Sequence, residues 1–242
     1  RLRVATYNVH GCVGIDGRRS ETRIAEVIAN FGADVVGLQE LDVGRARSAG
    51  VDQARLIAEQ LGWKSIFEPA MRHADEHYGN AIISRFPLRL HRVCNLDGRG
   101  TWYCRETRVA LWVEAETEHG LLHVVNTHFG LGRAEGFRQA DQLASAEWIG
   151  GAVADLPLVM LGDFNSLPGW RAHRAVAKQL RDLRVELNSG AHRTFPTRFP
   201  LLAVDHILVN AALRPVSLRV QRDAVSRIAS DHYPLVAELV RL

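Results

Sequence analysis

Short apolar runs that break off at a polar residue limit the folds open to this chain more than any other feature. Val4-Ala5-Thr6-Tyr7 meets Asn8, and Val35-Val36-Gly37-Leu38-Gln39 meets Glu40. Leu121-Leu122-His123-Val124-Val125 ends in Asn126-Thr127-His128, and Leu158-Val159-Met160-Leu161-Gly162 in Asp163 and Asn165. Two further runs are preceded by polar groups: Asp205-His206 before Ile207-Leu208-Val209, and Ser230-Asp231-His232 before Tyr233-Pro234-Leu235-Val236. Such runs are rich in strand formers, and the ends of strands are where a rigid sheet presents ligand-binding groups. Several carboxylates gathered on one rim repel each other unless a cation is present, and hard oxygen ligands suit Mg²⁺.

Between the runs lie helical patterns with recognisable ends. Ser20 caps a helix whose apolar face is Ile24, Val27, Ile28 and Phe31, closed by Gly32. A second (Ala54, Leu56, Ile57, Leu61) is closed by Gly62. Further strands are expected over 63–67, 80–84, 88–93, 108–114 and 216–220, and a helix from about Glu135 to Ile149. Pure alternation of strands and helices would give a doubly wound parallel sheet. The consecutive strands in the middle point instead to an α/β (α+β) chain of stacked mixed sheets with helices outside. With 242 residues and no linker or repeat, one domain over residues 1–242 is expected.

The polar interruptions then fall into an order. Thr6-Tyr7-Asn8-Val9-His10-Gly11, Leu38-Gln39-Glu40, Tyr78-Gly79-Asn80-Ala81-Ile82-Ile83-Ser84-Arg85 and Asn126-Thr127-His128-Phe129 come first. Gly162-Asp163-Phe164-Asn165, Val204-Asp205-His206-Ile207 and Ser230-Asp231-His232-Tyr233-Pro234-Leu235 complete the series. Together they resemble the endonuclease/exonuclease/phosphatase superfamily over essentially the whole chain. The resemblance implies the DNase I-like fold, a four-layer sandwich of two stacked mixed β-sheets with helices on the outer faces. It also implies a Mg²⁺-dependent hydrolase, with Mn²⁺ able to substitute. Glu40 would be the principal metal ligand, with Asn8 beside it and Asp231 a further ligand, direct or through water. Asp163 would orient or deprotonate the attacking water, Asn165 and His128 would bind the phosphate, and His232 paired with Asp205 would contact the phosphate or act as base. Asp163 is the favoured base. Asn80 and Arg105 or Arg108 are expected along the substrate cleft.

The substrate is less legible. A net charge of +3 is modest and scattered, and no long basic stripe marks a nucleic-acid groove. The abasic-site endonuclease branch carries Leu-Gln-Glu-x-Lys, whereas this chain has Asp42 at the last position. Gly79-Asn80-Ala81-Ile82-Ile83-Ser84-Arg85-Phe86-Pro87 looks more like the sphingomyelinase-like bacterial hydrolases. A phosphodiester or phosphomonoester of a small molecule or lipid headgroup is therefore expected, with DNA or RNA as the alternative. A non-catalytic binding module is a third reading, which the completeness of the polar set disfavours.

Other features read as bland. Cys12, Cys94 and Cys104 have no paired spacing, against a disulfide scaffold or a zinc site. Trp63, Trp112 and Trp148 belong to the core, while Trp102 and Trp170 are candidates for the cleft rim. His73-Ala74-Asp75-Glu76-His77 matches the His-x-x-Glu-His pattern of zinc proteases, but Pro69 and the following strand leave no room for the helix that chemistry needs. A polar loop over the active site is expected there instead. No apolar run approaches the ~20 residues of a transmembrane segment, and no signal peptide is legible. A cytoplasmic location is expected, with the chain upstream of Arg1 left open.

Overall fold

The computed structural model describes residues 1–96, 98, 106–152 and 156–242. The chain begins β1 (Leu2–Asn8), α1 (Glu21–Phe31), β2 (Val35–Val43), α2 (Gln53–Leu61), β3 (Lys64–His73) and β4 (Glu76–Ser84). It continues β5 (Leu88–Leu96), β6 (Arg108–Thr117), β7 (Gly120–His128), α3 (Arg133–Ala144), α4 (Ile149–Ala152) and β8 (Leu158–Asp163). Then come α5 (Arg171–Ala177), β9 (Arg181–Asp182), α6 (Leu183–Glu186), β10 (Asp205–Val209), β11 (Leu213–Val220), α7 (Ser226–Ala229) and β12 (Leu235–Arg241).

The strands form two six-stranded sheets, β11-β12-β1-β2-β4-β3 and β5-β6-β7-β8-β10-β9. Each is mixed for the same reason. One βαβ crossover makes a parallel pair, β1–β2 through α1 and β7–β8 through α3, and antiparallel strands flank it.

Side-chain alternation stacks the layers. On β1 and β2, Ala5, Tyr7, Val36 and Leu38 face a core shared with Ile24, Ile28 and Phe31 of α1 and Ile57 of α2. Their neighbours Val4 and Val35 face the opposite way, meeting Leu111, Val113, Val124, Val159, Leu161 and Ile207 between the sheets. The remaining faces, with Trp112, Val125, Met160 and Leu208, pack on Ala140 and Leu143 of α3 and Val176 of α5. Three cores thus separate four layers, helix–sheet–sheet–helix. Strands buried on both faces read as continuous apolar runs rather than alternating ones. Each fully buried Leu or Ile contributes about 1.5–3 kcal/mol.

Two glycines allow close approaches. A Cβ on Gly37 would lie 2.1 Å from Leu161 Cδ1, so the sheets touch there, and one on Gly162 (φ +150°) would strike the carbonyl of Thr127 on the neighbouring strand of the same sheet at 2.0 Å. Asn126 stitches the sheets together. Its amide donates to the Leu38 and Ala81 carbonyls at 2.9 and 2.8 Å, and its oxygen accepts from Gln39 Nε2 at 2.7 Å.

Most expected elements form where the sequence places them. Ser20 Oγ accepts from the Arg23 N–H at 3.1 Å, and Gly32 and Gly62 take left-handed C-cap conformations. The single helix expected over 135–149 is instead two. α3 stops at Ala144, Ser145 turns extended, and α4 starts at Ile149. Gly150 and Gly151 pack so closely on the Ala144–Ala146 backbone that any Cβ would collide with it. The His73–His77 segment is a tight hairpin rather than a loop: β3 pairs with β4 in register up to His73 opposite Glu76. The helix that a His-x-x-Glu-His metal site requires does not form.

Candidate active site

The two parallel pairs end on one rim of the sandwich, where antiparallel β10 and β12 begin. Asn8 closes β1, His128 closes β7 and Asp163 closes β8. Asp205 opens β10 directly opposite Asp163, and Ser230-Asp231-His232 lead into β12. Glu40 arrives differently. β2 continues past it, but the pairing with β4 slips between Leu38 and Leu41, and Glu40 takes φ +62°. This bulge re-aims the side chain toward the rim, a strained backbone of the kind that persists at functional sites.

Asp163 is the hub. It is buried, and its Oδ2 accepts from Asn8 Nδ2 at 3.1 Å while its Oδ1 accepts from the Asn165 N–H at 2.9 Å. Both His128 Nε2 and His232 Nε2 lie 3.6 Å from Oδ2, close enough to share a substrate atom and too far for a hydrogen bond. Burial, seconded by the Asp205 carboxylate, raises the Asp163 pKa to about 7 against the pull of His232. A carboxyl with that value takes a proton efficiently near neutrality.

His232 has the opposite character. Burial alone would depress it, but the Asp205, Asp163 and Asp231 charges and the Asp205 hydrogen bond outweigh burial and raise its pKa to about 10. Its Nδ1 donates to Asp205 Oδ2 at 2.9 Å, which leaves Nε2–H facing the rim. The Thr194 hydroxyl donates to the same Oδ2 at 2.5 Å, whereas buried Asp205 Oδ1 has no partner.

His128 is held neutral by burial, then by the nearby charges of Arg108 and His232, all of which lower its pKa. Arg108 NH1 lies 3.0 Å from Nδ1, and a guanidinium only donates, so the ring proton sits on Nε2. Asn165 Nδ2 is fixed by the Phe129 carbonyl at 2.8 Å and approaches His128 Nε2 to 3.1 Å. Two donors therefore converge with no acceptor between them, as an anion-binding point requires.

The oxygen donors also fit a hard cation. Glu40 Oε1 accepts from Asn8 Nδ2 at 2.9 Å, so the two N–H groups of one amide bridge Glu40 and Asp163 where positive charge is wanted. Asn8 Oδ1 is engaged by the His10 N–H at 3.1 Å and turned away from Glu40. Asp231 is half-buried, 3.9 Å from His10 Nδ1. Asp163, Asp205 and His232 also cluster tightly enough to hold an ion. His232, however, is a hydrogen-bonded imidazolium, which has no lone pair to offer. Glu40 is the better anchor.

Other expected residues fall less centrally. Asn80 is buried and donates to the Val109 carbonyl at 3.0 Å, bridging the sheets. Arg108 reaches the site through His128 and pairs with Glu106 at 3.0 Å. Arg105, Trp102 and Cys104 lie outside the described residues. Cys12 is buried, which pushes its thiol pKa well up and leaves it inert. Trp112 and Trp148 are core residues, and Trp170 lines a cavity beside Asn165. No motif spacing announces Thr194, Ser166 or Arg184, which reach the site from irregular segments and from α6.

Residues 5–232 match the model of the Endonuclease/Exonuclease/phosphatase family. The uncharacterized protein YbhP of Escherichia coli (strain K12) is 28% identical over 257 residues, covering 98% of this chain and 96% of its own. The endonuclease/exonuclease/phosphatase of Beutenbergia cavernae superposes with TM-score 0.76 at 23% identity, over 100% of this chain and 71% of that one. The mannosyl-6-phosphatase Bt3783 of Bacteroides thetaiotaomicron does so with TM-score 0.74 at 21% identity, over 99% and 100%.

Proposed function

Because the chain belongs to the Endonuclease/Exonuclease/phosphatase family, we propose that it is a divalent-metal-dependent phosphoesterase acting on a small or lipid-derived phosphoester. The observation that carries this reading is the convergence on Asp163 Oδ2 of Asn8, His128 and His232, delivered by three separate strand ends. Such a gathering of one basic carboxyl, one imidazolium and two neutral donors matches what hydrolysis of a phosphoester demands.

Glu40 would hold the cation, with Asn8 and Asp231 completing the sphere directly or through water; Asn8 could ligate only after its amide rotated. Mg²⁺, or Mn²⁺ in its place, would supply charge to the non-bridging phosphate oxygens. Asp163 takes the proton from the attacking water, since its raised pKa matches neutral pH and its Oδ2 faces the open rim. His232, protonated and locked by Asp205, donates Nε2–H to a phosphate oxygen as negative charge builds there. His128 Nε2–H and the Asn165 amide grip a second oxygen. Water oxygen bonds to phosphorus as the bond to the ester oxygen breaks; the departing alkoxide takes a proton from solvent, and Asp163 returns its own proton to solvent.

The deciding experiment is Mg²⁺-dependent release of nitrophenol from bis-p-nitrophenyl phosphate, followed by a panel of phosphoesters. Glu40→Gln is expected to lower the rate by about 10³-fold or more, the scale of losing a charge-stabilising group in a dry site. Turnover of no phosphoester with either metal would sink the proposal in favour of a binding module. The pH–rate profile tests the proton roles. Activity rises as Asp163 ionises, at or below pH 7 because a neighbouring cation lowers its pKa further, and falls as His232 loses its proton near pH 10. His232→Gln should remove the alkaline limb and keep the acidic one; loss of the acidic limb instead would make His232 the base.

A further inference from the structure

Beside Asn165 the rim opens into a cavity of about 430 Å³ that the chemistry above leaves unused. Arg133, Arg171 and Arg174 line it. Arg133 stacks on the Trp170 ring at 3.9 Å and Arg171 on Phe137 at 4.2 Å. Among the described residues, none of the three guanidiniums has a carboxylate partner or a side-chain hydrogen bond.

The cavity of about 450 Å³ on the Glu40 side is unlike it. There Arg47 and Arg45 share Asp42 at 2.7 and 3.5 Å, Arg19 pairs with Glu21 at 3.2 Å, and Glu40 and Glu106 line the same cavity. Of these two cavities, the one on the Asn165 side therefore carries the excess of arginine over carboxylate in its lining.

Two further observations aim at the same space. α3 begins there on Gly132, which offers no side chain to cap the first-turn N–H groups; Glu135 in that turn is folded back against Gly130 and held by Gln139 Nε2 at 3.3 Å. Ser166 also lines the cavity; it is 4% exposed, and its hydroxyl has no hydrogen-bond partner. Three free guanidiniums, an uncapped helix end and an idle hydroxyl form a site for one strongly charged anion.

We propose that this cavity is a subsite for a second phosphate group on the substrate, next to the phosphate being cut. The inference rests on the phosphoesterase reading and narrows it: a bisphosphorylated molecule meets three guanidiniums here that a neutral headgroup would leave unused. That second phosphate belongs either to a small bisphosphate or to the adjoining unit of a nucleic-acid strand. Trp170 offers a flat face to whatever joins the two phosphates.

The test uses titration calorimetry on the full chain carrying Glu40→Gln, so that ligands are not turned over. Propane-1,3-diyl bisphosphate is expected to bind about ten-fold more tightly than the matching monophosphate, a modest gain for several charge-assisted bonds. Adding Arg133→Ala, Arg171→Ala and Arg174→Ala should shrink that margin to within about two-fold, and Arg174→Glu alone should erode it. In the otherwise wild-type chain the triple variant should keep the parental rate on bis-p-nitrophenyl phosphate, showing that the fold and the catalytic rim are intact. Equal binding of the two ligands in the parent, or a margin unchanged by the triple variant, would overturn the proposal. If the wild-type chain hydrolyses nothing, the phosphoesterase reading falls, yet the binding margin still decides the subsite. A single-stranded trinucleotide that binds more tightly than the diol bisphosphate assigns the second phosphate to nucleic acid; the reverse order assigns it to a small molecule.

Discussion

Two buried Asp–His clusters sit side by side at this rim, and they are built to opposite rules. Around Asp182 every group is satisfied. His173 Nε2 donates to its Oδ2 at 2.6 Å, the Arg184 N–H to its Oδ1 at 2.7 Å, and the Gly169 N–H to His173 Nδ1 at 3.1 Å. His206 donates Nε2–H to the Ser166 carbonyl at 2.7 Å, and its Nδ1 accepts from Arg184 at 3.1 Å. Although burial alone would raise it, the hydrogen bond from His173 and the Arg184 charge hold the Asp182 carboxyl far below its usual range. Around Asp163 the balance is reversed: the carboxyl is raised, Asp205 Oδ1 is orphaned, and two histidines stand off at 3.6 Å. The clusters are joined, since Arg184 also donates to the Asp205 carbonyl. A saturated network therefore clamps the backbone of Ser166 and Asp205 while the unsaturated one is left to meet a substrate. Both could be mistaken for metal sites on ligand types alone. Saturation tells them apart, because a cation at Asp182 would have to displace donors already in place.

Breaking each cluster at its carboxylate gives the largest contrast. Asp163→Asn should cut turnover by about 10³-fold, as loss of a general base and positioning group does. In divalent-free buffer at pH 8 the same change should stabilise the fold by about 1–2 kcal/mol, because it deletes a buried charge that the fold disfavours. Asp182→Ala should do the reverse. It strands His173 and Arg184 and costs about 3–5 kcal/mol of stability, while the folded fraction keeps its turnover within a few fold. Urea denaturation paired with nitrophenol assays reads both, and a destabilised Asp163→Asn would refute the distinction.

Acidification separates the clusters more finely. Burial lowers the His206 pKa to about 4, so between pH 6.5 and 4 the unfolded chain binds a proton that the folded chain refuses, and stability falls as pH falls. His128 acts in the same direction. Asp163 opposes them: with a folded value of about 7, the folded chain binds the extra proton between pH 7 and 4, and stability rises as pH falls. Two histidines outweigh one carboxyl, so wild-type stability should fall over pH 6.5 to 4.5. Asp163→Asn should steepen that decline by about 2–3 kcal/mol, the opposing share that Asp163 supplies over the window. A variant no steeper than the wild type would mean that Asp163 does not take up a proton there.

How much of this was legible depended on whether the signal was local. Caps at Ser20, Gly32 and Gly62 placed both ends of α1 and the end of α2 to the residue, because capping is decided within one turn. Continuous apolar runs marked strands buried on both faces, and their polar ends marked the rim. Asn126 shows the limit. It ends a run exactly as His128 does, yet its amide is consumed in stitching the sheets, a fate set by residues 88 and 45 positions away. Asn80 shares that fate. The Asp182 cluster left no trace in the sequence, since His173, Asp182, Arg184 and His206 come from four elements with no common spacing.

The smallest effect expected at the rim is also the most diagnostic of its incomplete hydrogen bonding. Thr194 supplies one of the two hydrogen bonds that Asp205 receives, the other coming from His232. Thr194→Val keeps the shape and removes the donor, which should cost about 1 kcal/mol of stability, the usual worth of such a bond. With that donor gone, more negative charge on Asp205 bears on His232, so the imidazolium is favoured further and the alkaline limb of the rate profile moves upward. Turnover at neutral pH, where His232 is already protonated, should stay within about two-fold. A limb that moved downward would show that Thr194 raises the basicity of the pair rather than tempering it. The same substitution at Thr197, whose hydroxyl donates to the Ser230 carbonyl at 2.7 Å, should leave the limb where it is, because that bond positions backbone and touches no titrating group.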